Sequence, residues 1–379
     1  MTSPNVGDYL RPELVEGHTS IGSAPITLDA IEIHAEGEPS RILTSAAGLV
    51  HGSTMAERLV YCRSHLDWLR QLLLHEPRGH PALCAVLMLP PVTPGAHFGI
   101  VVLEQGGFTP MSGSNTICAV TAALEAGIVP LPQNAPSVEV VIDTAVGVIH
   151  ATAHMDGPKV QSVTVANVPA YVVELDYPLV VPEIGTIPVD IVFGGQFFVQ
   201  TAVRNCGLVL DPARGKELAR AGAMINLAAL EQIKVSHPIN SEISGVNLIM
   251  LHSGDRLPGV VSRNTVVLNN GPLIRDDPTT WTGALDRSPC GTGTCARMAA
   301  LHARGQLRIG EDFVHRSIID SEFVGRLVAE TTIGDRPAVL PTITGRGWIT
   351  GRSQWTLDPS DPFPTGFTLG DIWAPQSVA

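Results

Sequence analysis

The sequence predicts an α+β fold in which mixed or antiparallel sheets surround a small number of helices. Short runs of β-branched and aromatic residues recur between glycines and prolines, of which the 379 residues include 37 and 30. Apolar and polar residues alternate in several runs, as in residues 138–142, which is typical of strands with one buried face. Helical periodicity is confined to a few segments. These observations favour a sheet-rich architecture over a doubly wound parallel one.

Helical patterns occur in four segments, at residues 59–74, 116–126, 207 to about 230, and 294–304. The third is expected to hold one or two helices with a break. The second and fourth are rich in alanine, which is typical of buried helices. Each of them stops before a glycine, Gly127 or Gly305, where a residue in the left-handed conformation commonly ends a helix.

The two alanine-rich helices belong to a repeated segment. SGSNTICAVTAALEAG (112–127) aligns without a gap with CGTGTCARMAALHARG (290–305), so Ser112 pairs with Cys290. A shared register of this length indicates two related halves. The first half carries Ser112 and the second carries Cys290. Residues 1–23 are predicted to be a disordered extension.

Composition excludes several classes of partner. The net charge is −12 and no block of lysine or arginine offsets it, so nucleic acid and anionic membranes are not expected partners. No apolar run reaches the roughly 18–20 residues of a membrane helix, and the first residues do not have the pattern of a signal peptide. A cytoplasmic location is therefore predicted. The six cysteines form no CxxC pair and are expected to be thiols.

The loops before the two alanine-rich helices have the composition of anion-binding sites. The first amides of a helix have no intrahelical acceptor and carry partial positive charge, which suits a carboxylate. The predicted carboxylate-binding residues are Gly113, Ser114, Asn115, Gly291 and Thr292. Cys290 stands at such a helix start. We therefore expect its pKa to fall toward neutrality and the thiolate to act as a base.

Other polar segments leave alternatives open. Asp286 and Arg287 either contact a substrate ammonium or pair with each other. His34, Glu36 and Glu38 belong to a turn that is expected to be exposed and is interpreted as structural, with a place at the mouth of a pocket as the alternative. The histidines of HEPRGH, residues 75–80, are five apart and interrupted by proline and glycine, so no metal site is predicted. FGGQFF, residues 193–198, predicts a bulge or a close backbone approach, with its aromatics either lining a ring pocket or packing in the core.

Two motifs resemble those of the proline racemase family. DRSPCGTGTCARMA (286–299) is similar to the second family signature, and GGFTPMSGSNTICAV (106–120) to the first. IHAEGEPSRI, HEPRGHP and DIVFGGQFF resemble other family segments in the expected order. The resemblance spans about residues 28–370. It implies a fold like that of diaminopimelate epimerase, with two pseudo-symmetric halves, each a curved sheet around a central helix. In that fold the terminal segment crosses back, so the resemblance implies a first α/β half of residues 24–155 and 345–379 and a second of residues 156–344. It also implies that no cofactor takes part and that a homodimer is common.

This sequence departs from the family pattern at two positions. The resemblance implies two cysteines that flank the Cα of an imino acid, but Ser112 stands where the first is usual. A serine hydroxyl is a much weaker base than a thiolate, although it can donate or relay a proton. Ser114 replaces a histidine that would help to orient a ring substituent. Asp286 is expected to contact the substrate nitrogen.

The serine directs the predicted chemistry. Racemising proline needs comparable groups on both faces, whereas dehydrating a 3-hydroxyproline needs one strong base. The first prediction is therefore dehydration of trans-3-hydroxy-L-proline to pyrroline-2-carboxylate, with Cys290 as base and Ser112 assisting the leaving hydroxide. Hydroxyproline 2-epimerisation, or racemisation of proline, is the alternative. A thiol hydrolase, revealed by an acyl-enzyme burst, and a non-catalytic amino-acid-binding protein are the rivals from other classes.

Overall fold

A computed structural model describes residues 25–132, 135–241, 243–246, 248–254 and 261–373. The extension predicted for residues 1–23 lies outside these residues. Within the described ranges, no helix is both long enough and apolar enough to cross a membrane.

The chain forms two compact units. Among the described residues, unit 1 comprises those of 25–34, 39–161 and 347–368, and unit 2 comprises those of 35–38, 162–346 and 369–373. The sequence placed the two crossings between halves at 155/156 and 344/345, and the structure divides the chain at 161/162 and 346/347. A short turn, Ala35–Glu38, also belongs to unit 2.

Unit 1 contains a mixed sheet and three helices. Its strands are β1 (Ile26–Ala35), β2 (Glu38–Leu43), β3 (Cys84–Leu89), β4 (Phe98–Glu104), β5 (Gly107–Thr109), β6 (Ser137–Thr144), β7 (Gly147–Asp156) and β18 (Gly347–Leu357). Its helices are α1 (Met55–His65), α2 (Asp67–Leu74) and α3 (Gly113–Glu125). Leucines of α2 and the apolar faces of β3 and β4 form its main core.

Unit 2 contains the remaining elements. Its strands are most of β8 (Lys159–Ala166), β9 (Tyr171–Val181), β10 (Gly185–Phe193), β11 (Phe197–Ala202), β12 (Leu248–Ser253), β13 (Ser262–Leu268), β14 (Ala284–Leu285), β15 (Asp312–Arg316), β16 (Glu322–Ile333) and β17 (Arg336–Gly345). Its helices are α4 (Gly215–Gln232) and α5 (Gly291–Ala303), with 3₁₀ turns at Val203–Cys206, Pro212–Arg214 and Pro278–Thr280. The core centres on β9–β13 and α4.

The two units repeat one topology. In unit 1, β4 pairs antiparallel with β3 and β5 and parallel with β6, and α3 lies in the crossover to β6. In unit 2, β13 pairs antiparallel with β12 and β14 and parallel with β15, and α5 lies in that crossover. The repeat seen in the sequence therefore extends to the strands around each helix.

The ends of α3 and α5 are also alike. Gly127 and Gly305 have φ values of 71° and 69°, and their amides donate to Leu124 and His302. The next amide in each chain segment donates to the carbonyl five residues before it, which completes a Schellman motif. Both helices begin three residues earlier than predicted, because the small polar residues of each loop already have helical geometry.

The other helical segments differ in detail from the prediction. Residues 59–74 form parts of two helices separated at Leu66, whose φ and ψ are −116° and 20°. Thr54 fixes the start of α1, since its hydroxyl accepts the Glu57 amide hydrogen bond. The segment from residue 207 contains a single long helix, α4, which begins at Gly215 after a short 3₁₀ turn.

Candidate active site

Cys290 stands at the N-cap of α5 in a constrained conformation. Its φ is 57° and its ψ is 110°, in the left-handed region that L-residues rarely adopt. Such a conformation costs about 1–3 kcal/mol and persists where the surroundings enforce it. Pro289 limits the preceding backbone, and the Cys290 amide donates to the Ser288 hydroxyl at 3.2 Å. The backbone therefore fixes the direction in which the thiol leaves the helix start.

The thiol lies against an apolar cluster. Cys290 is 8% exposed and packs with Phe198 and Met250. A Cβ on Gly293 would lie 2.5 Å from the Met250 methyl and 3.1 Å from the Cys290 sulfur. Glycine at 293 therefore lets Met250 and the thiol meet at the first turn of α5.

The FGGQFF segment brings β10 and β11 close to α5. A Cβ on Gly194 would lie 2.3 Å from the Thr292 carbonyl oxygen and 2.5 Å from the Ala296 nitrogen. The predicted close backbone approach is thus made at Gly194. Phe193 and Phe197 belong to the main core of unit 2. Of the three aromatics, Phe198 is the one that contributes to the surroundings of Cys290.

One buried carboxyl group, that of Asp286, adjoins the thiol within unit 2, and a second, that of Glu38, adjoins Asp286. Asp286 accepts hydrogen bonds from the Ser288 amide at 2.8 Å and the Ser288 hydroxyl at 2.9 Å, and from the Cys290 thiol. Glu38 accepts the Arg287 amide at 2.7 Å and donates to Asp286. Burial raises the pKa of both carboxyl groups, and for Glu38 the charge of Asp286 adds to the effect.

The expected fall in the pKa of Cys290 is wrong. Removal from water raises the pKa of this thiol well above its ordinary value, and the negative charge of Asp286 raises it further. The Gly293 amide and the Thr292 hydroxyl do favour the thiolate, as the helix-start argument anticipated, but their effect is smaller. Without a ligand, the thiol therefore carries its proton at neutral pH.

Asp286 does not face Arg287. The Arg287 guanidinium donates to the Leu285 carbonyl. The Asp286 carboxylate is directed to Ser288, Glu38 and Cys290. The sequence allowed either an ion pair between Asp286 and Arg287 or contact of Asp286 with a substrate nitrogen. The ion pair is not found among the residues that the structure describes, and the contact with a substrate nitrogen stays a prediction.

Ser112 has a different, polar environment within unit 1. Its hydroxyl oxygen accepts a hydrogen bond from the Asn115 side-chain amide at 3.0 Å and lies 3.4 Å from the Ser114 hydroxyl. The Asn115 carbonyl oxygen in turn accepts the Ser40 hydroxyl at 2.6 Å. Because Asn115 can only donate through its nitrogen, the Ser112 oxygen is held as an acceptor and its own proton is directed elsewhere.

The predicted carboxylate-binding residues occupy the first turns of both helices. The first helical hydrogen bonds run from Thr116 to Ser112 and from Thr294 to Cys290. The amides before them have no acceptor inside the helix. They belong to the predicted Gly113, Ser114, Asn115, Gly291 and Thr292, and also to Gly293, whose amide is directed at the Cys290 sulfur. These residues are buried.

A polar cavity of about 350 Å³ lies elsewhere in unit 2. Asp190 there binds Arg297 of α5 at 2.8 Å and Arg304, the C-cap residue of that helix, at 2.7 Å. Burial alone would raise the pKa of Asp190, but the two guanidinium groups lower it overall. Cys290 does not line this cavity. We therefore assign the ion pairs of Asp190 a structural role, in which they hold α5 in place.

Metal ligands do not cluster among the residues that the structure describes. His75 ends α2, and Glu76 bridges to Phe367, so this segment has a structural role in unit 1.

Glu38 is the residue near the thiol that the sequence did not reveal as functional. Its turn has positive φ at Glu36 (47°) and Gly37 (95°). A tight Glu-Gly turn between two strands normally exposes its acidic side chains, yet Glu36 and Glu38 are each 4% exposed. The turn geometry was readable from the sequence, but the burial of its carboxyl groups was not.

The fold and motifs define the class of protein. The proline racemase family model matches residues 30–368, and the chain belongs to that family. The predicted α+β fold is confirmed, and the protein is an enzyme of this racemase and epimerase family.

Particular relatives are similar along nearly their whole length. The chain is 40% identical to the 4-hydroxyproline 2-epimerase of Streptosporangium roseum, over 90% of this chain and 98% of that protein. It is 35% identical to the proline racemase of Clostridioides difficile, over 90% and 98%. The crystal structure of a hydroxyproline epimerase from Agrobacterium vitis, with bound trans-4-OH-L-proline, matches with a TM-score of 0.83 and 35% identity, over 92% and 96%. A phenazine biosynthesis protein from Bacillus anthracis shares the fold alone, with a TM-score of 0.53 and 10% identity.

Proposed function

We propose that this protein is a hydroxyproline 2-epimerase that acts on trans-4-hydroxy-L-proline. The observation that carries the proposal is a single buried thiol, Cys290, at a helix start beside the carboxylate of Asp286. The similarity to 4-hydroxyproline 2-epimerases supports this substrate. The proposal reverses the order of the two reactions predicted from the sequence, in which dehydration came first.

In the proposed reaction, Cys290 removes the α-proton. The positively charged nitrogen of a bound imino acid near Asp286 would offset the negative charge that raises the thiol pKa. The thiol then ionises in the complex, its proton leaving to solvent. Because a thiolate with a raised pKa is the stronger base, the same burial that keeps the free thiol protonated aids abstraction of a carbon acid.

Ser112 is proposed to supply the proton that completes inversion. Its oxygen is already bound by the Asn115 amide, which would stabilise the charge that develops as its proton leaves. Ser114, whose hydroxyl lies 3.4 Å away, or water would restore that proton. The amides at the starts of α3 and α5 would bind the substrate carboxylate and the charge that spreads onto it after deprotonation.

Dehydration of trans-3-hydroxy-L-proline is a second candidate, and Ser112 is the observation that favours it. Cys290 would take the α-proton, the C3 hydroxyl would leave with a proton as water, and the enamine would tautomerise to pyrroline-2-carboxylate. This reaction needs one strong base and a proton donor for the leaving group, which suits an unequal pair of side chains.

A substrate panel in D₂O tests both candidates. The protein is incubated with trans-4-hydroxy-L-proline, trans-3-hydroxy-L-proline and L-proline, and NMR follows deuterium at Cα, inversion at C2 and pyrroline formation. We expect inversion of the 4-hydroxy substrate. Pyrroline from the 3-hydroxy substrate without inversion of the 4-hydroxy substrate would replace the first candidate by the second. Inversion of L-proline at the same rate would overturn the preference for a hydroxylated substrate, and the absence of Cα exchange in all three would overturn the substrate class.

A further inference from the structure

A buried acid on the Glu36–Glu38 turn adjoins the groups that surround the thiol. Glu36 anchors the turn within unit 2, because its carboxylate accepts the Arg346 amide at 3.2 Å and the Glu322 amide at 3.3 Å. A Cβ at Gly37 would lie 2.5 Å from the Ile319 methyl, so the turn passes close to that side chain. The next residue, Glu38, is thereby held at the Arg287 amide and at Asp286.

The hydrogen-bond donors decide which of the two carboxyl groups keeps a proton. Two adjoining buried carboxylates repel each other, so a shared proton is favoured. Three donors converge on Asp286, namely the amide and hydroxyl of Ser288 and the thiol of Cys290. Hydrogen bonds of this kind stabilise the ionised form. The proton therefore belongs to Glu38, in agreement with the raised pKa of that carboxyl.

We propose that Glu38 is a positioning residue for Cys290: its protonated carboxyl, seated on the Arg287 amide, donates to Asp286 and keeps that carboxylate ionised and directed at the thiol. Glu38 thus acts on the reacting sulfur through Asp286. The inference rests on the proposed function for its catalytic meaning, but its effect on the thiol exists without substrate.

The charged groups with the largest effects on this cluster are its own carboxyl groups and Arg287. Asp286 and Arg287 act on Glu38, with opposite signs. Glu38 and the Cys290 thiol act on Asp286, and Asp286 is the charged group that acts on Cys290. From the neighbouring strand β15, His315 contacts the Thr294 hydroxyl at 2.9 Å, one turn along α5. A substitution of Glu38 should therefore change the pKa of the Cys290 thiol through its effect on Asp286.

Two variants of Glu38 distinguish the loss of its hydrogen bonds from a general structural effect of replacing its side chain. In Glu38→Gln, the amide nitrogen can still donate to Asp286 and the amide oxygen can still accept from Arg287. In Glu38→Ala, both bonds are lost, Asp286 takes up a proton more readily, and the thiol faces less negative charge. Glu36→Gln is the matched control, because it removes a carboxyl of equal burial from the same turn and keeps an amide oxygen that can accept from the Arg346 and Glu322 amides.

The test measures alkylation of Cys290 by iodoacetamide across neutral to alkaline pH in the full-length protein without substrate. Mass spectrometry of the peptide that contains Cys290 separates it from the other cysteines. We expect Glu38→Ala to lower the pH midpoint of alkylation by about one unit, a tenfold change in thiolate fraction at a given pH below the midpoint. Glu38→Gln and Glu36→Gln should keep the wild-type midpoint.

Each other outcome counts against the proposal. An unchanged midpoint in Glu38→Ala, or an equal shift in Glu36→Gln, would assign Glu38 a structural role alone. A shift of the same size in Glu38→Gln would show that its hydrogen bond to Asp286 is not what matters. If the alkylation result holds while hydroxyproline is not turned over, the proposed function has failed and the positioning role stands. If both hold, Glu38→Ala should also raise KM about tenfold, since Asp286 loses charge.

Discussion

The helix starts at Ser112 and Cys290 are built on the same frame but prepare their side chains in opposite ways. Both helices have 13 residues, lie in the crossover between parallel strands and end in a Schellman motif at a glycine. Ser112 has extended backbone, with φ at −148°, and its hydroxyl contacts Asn115 and Ser114. Cys290 has left-handed backbone, and its thiol is buried among Phe198, Met250 and Asp286.

This difference shows how a repeated fold can hold two unequal acid–base groups. A soft sulfur placed in apolar surroundings beside a carboxylate keeps its proton in the free protein and is a strong base once ionised. A hydroxyl whose oxygen already accepts an amide hydrogen bond is suited to donating its proton. The environment, more than the shared helix start, therefore sets the chemistry of each position.

The largest effect on catalysis is expected when the loops at Ser112 and Cys290 are made alike. In Cys290→Ser, both helix starts carry serine and the strong base is lost, so we expect Cα exchange of the substrate to fall by about 10²–10⁴-fold. Deuterium incorporation into hydroxyproline, followed by NMR, measures this. Cys295→Ala is the control, since it removes a buried thiol from the same helix and should retain exchange. Equal loss in both variants would remove Cys290 from the reaction.

Removing the hydroxyl of the other loop should separate two steps. In Ser112→Ala, Cys290 can still take the α-proton, but the returning proton must come from water. We expect inversion to fall about 10²-fold while Cα exchange falls much less. Chiral chromatography follows inversion, and NMR follows exchange in the same samples. If exchange and inversion fall together, Ser112 is not a separate proton donor.

The close approach of Gly194 to α5, which supports the Cys290 loop, can be disrupted by adding one methyl group. The Cβ of Gly194→Ala would meet backbone atoms of α5 rather than a flexible side chain. We expect a loss of about 1–3 kcal/mol in the free energy of unfolding. Gly215→Ala is the control, because its Cβ would make an ordinary contact at 3.7 Å with Leu285. Urea denaturation measures both, and similar stability of the two variants would contradict the close approach.

The smallest expected effect is a pH dependence of stability, which arises from the buried carboxyl groups near Cys290. The folded protein raises the pKa of Glu38 above its ordinary value of 4.5, so stability from this group is complete below pH 4.5 and is lost as the pH rises through the raised value. Glu38→Gln removes this titration. We expect the wild type to lose stability relative to the variant as the pH rises from 4.5 toward neutrality, and parallel melting curves of the two would contradict a raised pKa.

Much of this frame was predictable because it follows from local patterns. Gly127 and Gly305 predicted the helix ends, and the aligned loops before the two helices indicated the repeat. The state of Cys290 was not predictable, because it depends on Phe198 and Met250, distant in sequence, which exclude water from the thiol. Glu38 was missed for the same reason, since it contacts the Arg287 amide from 249 positions away.

The central claim is that one group removes the α-proton and a different group returns one. It is tested most directly by the position of deuterium early in the conversion of trans-4-hydroxy-L-proline in D₂O, before the two epimers equilibrate. We predict that the new epimer carries deuterium at Cα while the remaining substrate keeps its original proton. A new epimer that still carries the substrate's own proton would show that a single group both removes and returns it, and would contradict the division of roles between Cys290 and Ser112.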